Sequence, residues 1–446
     1  MQRRDFIKKI GLTTAGAFVA PYILPSGRLF ASTGNVQSSQ HVVLVMFAGG
    51  VRQQESVLQG YLNQSQGLGA SHAGNIMTNI MTGAAPNLKV VYGTGAGGIS
   101  PIPSVLGSTL QSQGTLFKEV KALTAGHYGG WSALLQGNNV SSQGLKQKPL
   151  YPTIFEYLRR HGGFPASKVW FVGNTIGSSL PLLNYSEHAN YGAKYGANFF
   201  APLVTFGTKG QEFLSDAKVY HPADELPAMY KMKFFLDNNF SNIGASLPDL
   251  HNTEAEKQDI KAFMKSMYSK TTNNTVAMPP VSQNGDARTV GYTCELLKWF
   301  KPNLTVVTLS NVDGCHSNFT DYLGALHRAD HAVGHLWNYI QTQIPSMANN
   351  TTMIVSPECG RDLTPNVIKD TNEWRGYDHS DSNSRRVFTS IVGPGVPQNH
   401  TVGSDTNPVG FNTDVVPTIA EILGIKSDVM GAGFLYPGTQ SLFDQM

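Results

Sequence analysis

Charge is scarce in this chain. Asp, Glu, Lys and Arg together make up 14% of the 446 residues, against 46 glycines. A surface built mainly of Ser, Thr, Asn and Gly follows, a composition common in exported proteins. Basic residues form no field: residues 1–31 carry +4 (Arg3, Arg4, Lys8, Lys9 and Arg28 against Asp5) of a whole-chain +3, so the rest sums to −1. Nothing there can hold a phosphate backbone, which excludes a nucleic-acid partner. Cysteine is rarer still, at Cys294, Cys315 and Cys359. An odd count gives no disulfide framework, although one pair stays open to an exported chain. No internal repeat is visible. What the length does permit is one large core or two smaller ones.

The N-terminus is specific. Arg3-Arg4-Asp5-Phe6-Ile7-Lys8-Lys9 precedes an apolar run, Ile10 to Leu24, and the segment closes on the small residue Ala31. This is the pattern of a twin-arginine signal peptide over 1–31, followed by a linker over 32–40, and it predicts a periplasmic or extracellular protein. The run is short and rich in Gly and Thr for a membrane span. Left uncleaved, it becomes a membrane anchor.

From His41 onward, short β-branched runs alternate with amphipathic helices. HVVLVMF (41–47), 118–123, 168–172, 304–309, 352–355 and 386–392 read as buried strands. Helices are expected around 72–81, over 151–161 (with Thr153 and Glu156 at capping-box spacing), 254–268, 286–300 and 319–344, and from an Asp414 cap to Gly424. Alternation of this kind predicts an α/β fold with a mainly parallel central sheet covered by helices on both faces, a single domain over 41–446. Residues 174–230, rich in Gly, Asn, Tyr and Pro, read as an irregular insertion or lid.

Candidate chemistry gathers at strand ends, where open α/β sheets place their sites. Asp313 and His316 follow one run, Glu358 and Cys359 another, and Asp378-His379 lie in the next loop. His127 opens a small-residue helix after a glycine turn, a good position for a nucleophile or an anion. His327, His331 and His335 recur every fourth residue beside the apolar stripe of the 319–344 helix. Three imidazoles on one face can bind a transition metal, but no HExxH-type carboxylate accompanies them, which favours a polar flank of a core helix.

Taken together, VDGCHSNF (312–319), TTMIVSPECGRDLTPN (351–366), RGYDHS (375–380), IVGPGV (391–396) and DVVPTIAEILGI (414–425) resemble a Tat-exported, sulfatase-like family of unknown function within the alkaline phosphatase superfamily. The resemblance spans roughly 304–425, with weaker echoes at 41–50 and 124–137, and is absent over 174–300. It implies that superfamily's sheet and a two-metal site. One metal would take Asp313, His316 and His379. The second would take positions that fall here on Ala48, on Glu358-Cys359 and, at the nucleophile, on His127. That half is degenerate, and no Cys-x-Pro-x-Arg sulfatase signature is present.

Three readings follow. The first is an altered hydrolase of phosphate or sulfate esters holding one divalent ion (Zn, Mn or Ca) on Asp313, His316 and His379 with Glu358 or Asp378. In it His127 or Glu358 serves as base and Arg361 faces an anionic substrate oxygen. The second is an inactive member that binds an anionic glycan, an ester or a partner protein. The third is a structural envelope protein in which the same residues form a satisfied polar network. Oligomeric state is not encoded legibly.

Overall fold

The computed structural model describes residues 39–60, 73–86, 92, 98, 100–139, 148–173, 183–206 and 252–446. The twin-arginine segment and most of the linker lie outside them, as does much of the 174–230 stretch. No helix among the described residues is long and apolar enough to cross a membrane.

Among the described residues, eight strands form one sheet: β1 (His41–Phe47), β2 (Thr115–Lys121), β3 (Val169–Val172), β4 (Asn198–Phe200), β5 (Leu304–Leu309), β6 (Thr351–Pro357), β7 (Arg386–Val392) and β8 (His400–Val402), in the order β4-β3-β5-β1-β6-β7-β2-β8. All pairings are parallel except the two made by β7, against β6 and β2. β1 is central and buried along its whole length because its side chains alternate between two cores. Val43, Val45 and Phe47 enter one; Val42, Leu44 and Met46 enter the other. The first core is roofed by the helices Glu254–Thr272, Gly285–Phe300 and Phe319–Gln343, the second by α1 (His127–Gln136) and α2 (Val415–Ile422). The sequence expectation of a mainly parallel sheet with helices on both faces therefore matches the molecule.

Some local expectations do not. Residues 73–81 are turns rather than a helix, with Asp330 accepting the Asn79 and Ile80 amides; His72 lies outside the described residues. The 174–230 stretch is not wholly irregular: Asn198–Phe200 adds the edge strand β4, too short for a periodicity to show. Asp414 does not cap α2. Its carboxylate reaches back to the Phe411 amide at 2.9 Å and sideways to the Gln440 amide at 3.1 Å. A further helix, α3 (Lys426–Gly431), follows Gly424. Thr153 and Glu156 do form a capping box, at the head of a helical turn (Ile154–Tyr157) that widens into a π-turn over Leu158–Gly162.

Candidate metal centre

Four segments meet at the carboxyl edge of the sheet. β1 ends in Ala48-Gly49-Gly50, β5 runs into a 3-10 turn (Asn311–His316), β6 ends at Glu358-Cys359, and α1 starts at His127. The loop bearing Asp378 and His379 closes over them. Close backbone approach makes this packing feasible. Gly49 sits at φ +111°, and a Cβ there would stand 2.6 Å from Asp313 Cα. A Cβ on Gly130, one turn into α1, would stand 2.5 Å from the Glu358 carbonyl oxygen.

His127, Asp313, His316 and His379 each turn one ligand-type atom into a common space, all within 4.8 Å of one another. The Nε2 atoms of His127 and His316 lie 3.3 and 3.4 Å from the same oxygen, Asp313 Oδ1. Their outer nitrogens are taken: His127 Nδ1 donates to Glu358 Oε1 and His316 Nδ1 to Asp378 Oδ1, each at 2.6 Å. His379 is wedged between the two rings, with centroids 4.4 Å from His127 and 4.9 Å from His316. Glu358 Oε1 also accepts the Gly49 amide at 2.6 Å, fixing the carboxylate against β1.

The donor set fits a divalent cation. Metal-binding histidines almost always donate their other ring N–H to a carboxylate, a backbone carbonyl or a water, which fixes tautomer and ring plane. Here two of three imidazoles do so, leaving Nε2 aimed inward. The third, His379, is held as a neutral imidazole, its pKa lowered to about 4 by burial and then by the neighbouring His127, Arg361 and His316. Burial disfavours charge on His127, but hydrogen bonds to Asp313, Cys359 and Glu358 outweigh it and raise its pKa to about 12. Burial likewise opposes the Asp313 charge. His127 and Arg361 overcome it and hold the carboxyl well below the usual range. Glu358, fully buried, is pushed up by desolvation, with His127 pulling the other way.

The expected site residues thus converge, but their parts differ from those first assigned. His127, read as nucleophile or base, stands in the ligand set. Asp378, read as a ligand, lies behind His316, and Glu358 lies behind His127. The Glu358 Oε2 atom is buried without a hydrogen-bond partner, and Glu358, Cys359 and His127 form a second, smaller group of donor atoms. Arg361 does not face a substrate oxygen. Fully buried, it donates through Nε and Nη2 to the Gly49 carbonyl, through Nη1 to the Tyr377 carbonyl at 3.1 Å, and through Nη2 to Asp313 Oδ1 at 2.6 Å. Its role is to hold Asp313.

Sequence reading missed Asn366, whose amide donates to the His316 carbonyl at 2.8 Å, and the close approach of Gly130. The glycine pair at 129–130 was the available signal. In the other histidine series, two of the three imidazoles are held by backbone groups, while His331 is buried. His327 donates from Nδ1 to the Ile76 carbonyl and accepts the Ile102 amide at Nε2, while His335 bonds the Ala277 carbonyl. All three cysteines are buried free thiols, so Cys315 and Cys359 form no bridge.

No protein-family model matches the chain, and no curated protein matches it. Solved structures do. The alkaline phosphatase from the Antarctic bacterium TAB5 is 13% identical, over 87% of this chain and 99% of its own, at a TM-score of 0.39. A protein of the alkaline phosphatase superfamily from Vibrio parahaemolyticus is 11% identical, over 89% and 71%, at 0.39. The lipoteichoic acid synthase from Listeria monocytogenes is 12% identical, over 91% and 74%, at 0.40. At these scores the likeness adds nothing to what the sheet and the cluster show by themselves.

Proposed function

We propose that this chain is an exported, mononuclear metal-dependent hydrolase of phosphate or sulfate esters, a divergent member of the alkaline phosphatase superfamily. The observation that carries the reading is the inward convergence of Asp313 and three imidazoles, two of them oriented from behind by carboxylates. Three nitrogens and one carboxylate suit zinc or manganese better than calcium, which prefers an all-oxygen shell. A divalent cation bound by Asp313, His127, His316 and His379 would supply Lewis acidity toward an ester oxygen and would acidify a water.

The chain's own groups do the rest. Asp313 is fixed by Arg361, His127 by Glu358 and His316 by Asp378, so the donors are set before an ion arrives. α1 begins at His127, and its N-terminal end adds partial positive charge beside an anionic ester. At that position a hydroxyl or thiol nucleophile is replaced by an imidazole, so the reading invokes no covalent ester on the protein and the attacking group is water.

The same replacement, together with Ala48 at the end of β1, favours a second reading: a catalytically inactive member that binds an anionic ester or glycan. Metal analysis and turnover of an aryl phosphate and an aryl sulfate separate the two. About one ion per chain, with hydrolysis lost in His316→Ala and His379→Ala, supports the hydrolase. Ester or glycan binding without turnover supports the binder, and purified chain carrying only traces of every divalent metal overturns the hydrolase. Export by the twin-arginine route is part of the proposal. A processed N-terminus after Ala31 in periplasmic or secreted protein checks it, while retention in the membrane fraction would make Ile10–Leu24 an anchor.

A further inference from the structure

A second concave surface lies away from the metal cluster. α1 is ten residues long, so about 15 Å separate its His127 end from its far end. At that far end Asn138 Nδ2 donates to the Phe434 carbonyl at 2.7 Å, and Phe434 is one wall of an open cavity of about 400 Å³. That volume is at the low end for small-molecule sites. The other walls come from the π-turn (Arg160, His161), from the segment bearing His188, Asn190 and Tyr191, and from α3 with Asp428.

The rings are packed into a fixed set. His188 meets Phe434 edge-on at 4.9 Å and Tyr191 at 5.3 Å, and Phe434 stacks on Tyr151 at 5.8 Å. The Tyr191 hydroxyl lies 2.8 Å from His161 Nε2, and His161 Nδ1 lies 3.7 Å from Asp428. The segment itself is tied down from beneath. Glu156, fully buried, accepts the Ser186 amide at 3.0 Å, the Ser186 hydroxyl at 2.7 Å and the Gly192 amide at 2.6 Å. A carboxylate that ties the two ends of a short loop favours a preorganised surface, with the aromatic side chains half-exposed.

Charge selects the occupant. The Asp428 carboxylate is engaged by His161, whereas Arg160 donates from Nη1 to the Asn190 carbonyl, lies over the Tyr191 ring with its guanidinium carbon 4.5 Å from the centroid, and pairs with no carboxylate among the described residues. His188 Nδ1 accepts the Asn190 amide at 3.3 Å, which leaves its Nε2–H as a donor. Flat apolar rings beside a fixed guanidinium, an imidazole N–H and a side-chain amide match a sugar ring bearing an acidic substituent: C–H faces meet the aromatics, hydroxyls meet the polar groups, and the anion meets Arg160.

We infer that the cavity between the π-turn and α3 is a binding site for an acidic saccharide, separate from the metal cluster and independent of its chemistry. Calorimetric titration of the full chain with a heparin hexasaccharide tests this. The full chain nets +3, of which residues 1–31 hold +4, and any binding of the probe through that segment would be indifferent to the variants that follow. Binding is expected to weaken at least about tenfold in Arg160→Ala and in Tyr191→Ala. It should stay within about threefold of wild type in Tyr191→Phe, which keeps the ring, and in His316→Ala, which touches only the metal cluster. Arg160 is exposed but donates to the Asn190 carbonyl and lies over Tyr191, so urea midpoints of both alanine variants, compared with wild type, separate lost binding from a displaced loop. Absence of binding, binding indifferent to both alanine variants, equal binding of neutral maltohexaose, or equal binding of inorganic sulfate alone would each overturn the inference.

Discussion

Replacing Asp378 by alanine is the sharpest test of how the cluster is built. Asp378 accepts from His316 Nδ1 at 2.6 Å and is 49% exposed at its side chain. It is absent from the group of inward-facing ligand atoms. If it acts only from behind, its loss frees the ring plane and tautomer of His316 without deleting a ligand. Removing such a partner weakens metal affinity about 10- to 100-fold, equivalent to about 1.4–2.8 kcal/mol. Half-exposed ion pairs contribute at most about 1 kcal/mol to stability, so the urea midpoint should barely move. His316→Ala, by contrast, deletes a ligand and should cost more affinity than Asp378→Ala, while Asp378→Asn, which retains an acceptor oxygen, should fall between Asp378→Ala and wild type. The assay is zinc competition against a chromogenic chelator, with urea unfolding alongside. Wild-type affinity in Asp378→Ala would refute the orienting role. A loss as severe as that of His316→Ala would make Asp378 a ligand after all.

Three further outcomes follow from the geometry. Gly49→Ala must fit a Cβ 2.6 Å from Asp313 Cα at a backbone of φ +111°; it should cost more than about 2 kcal/mol in urea unfolding and lose metal in the same protein, and an unchanged midpoint would refute the close packing. His331 is buried, and its pKa is lowered to about 4 by desolvation and then by His327 and His335. The unfolded chain takes up that proton near the usual 6.5 and the folded chain does not, so this contribution to stability is intact above pH 6.5 and shrinks as pH falls toward 4, by up to about 3 kcal/mol. His331→Leu should flatten that acid limb when urea midpoints at neutral and acidic pH are compared. Finally, a thiol reagent should find no rapidly reacting cysteine in the native protein and all three in the unfolded, unreduced one; fewer than three would restore the disulfide.

How legible was this molecule in its sequence? Strands buried on both faces announce themselves as β-branched runs, and β5, β6 and β7 were found within a residue or two for that reason. β4 was not, because three residues cannot carry a pattern and Asn198–Phe200 is a strand only through pairing with β3. The reversal of β7 was equally hidden, since direction is set by tertiary connection and not by local composition. At the site, residue types and strand-end positions predicted which groups meet. They could not predict which oxygen faces inward. Arg361 shows the limit most clearly: a lone arginine after a strand reads as a substrate contact, yet Gly49 leaves its carbonyl open to the guanidinium and takes it up.

The electrostatics of the cluster tie its parts together. Asp313, Glu358 and Asp378 are three carboxylates; Arg361 is the one guanidinium among the groups that touch them. Two negative charges therefore remain uncompensated before any histidine is protonated. His127 keeps its proton far above its ordinary range, despite burial, through its hydrogen bonds to Asp313, Cys359 and Glu358. Proton and metal answer the same demand at the same place, His127 Nε2 and Asp313, so they compete. His379 meets the rings of His127 and His316 edge-on, and burial together with its charged neighbours lowers its pKa. On the proposed function, the neutral His379 would offer its lone pair to the cation, alongside the two carboxylate-backed histidines.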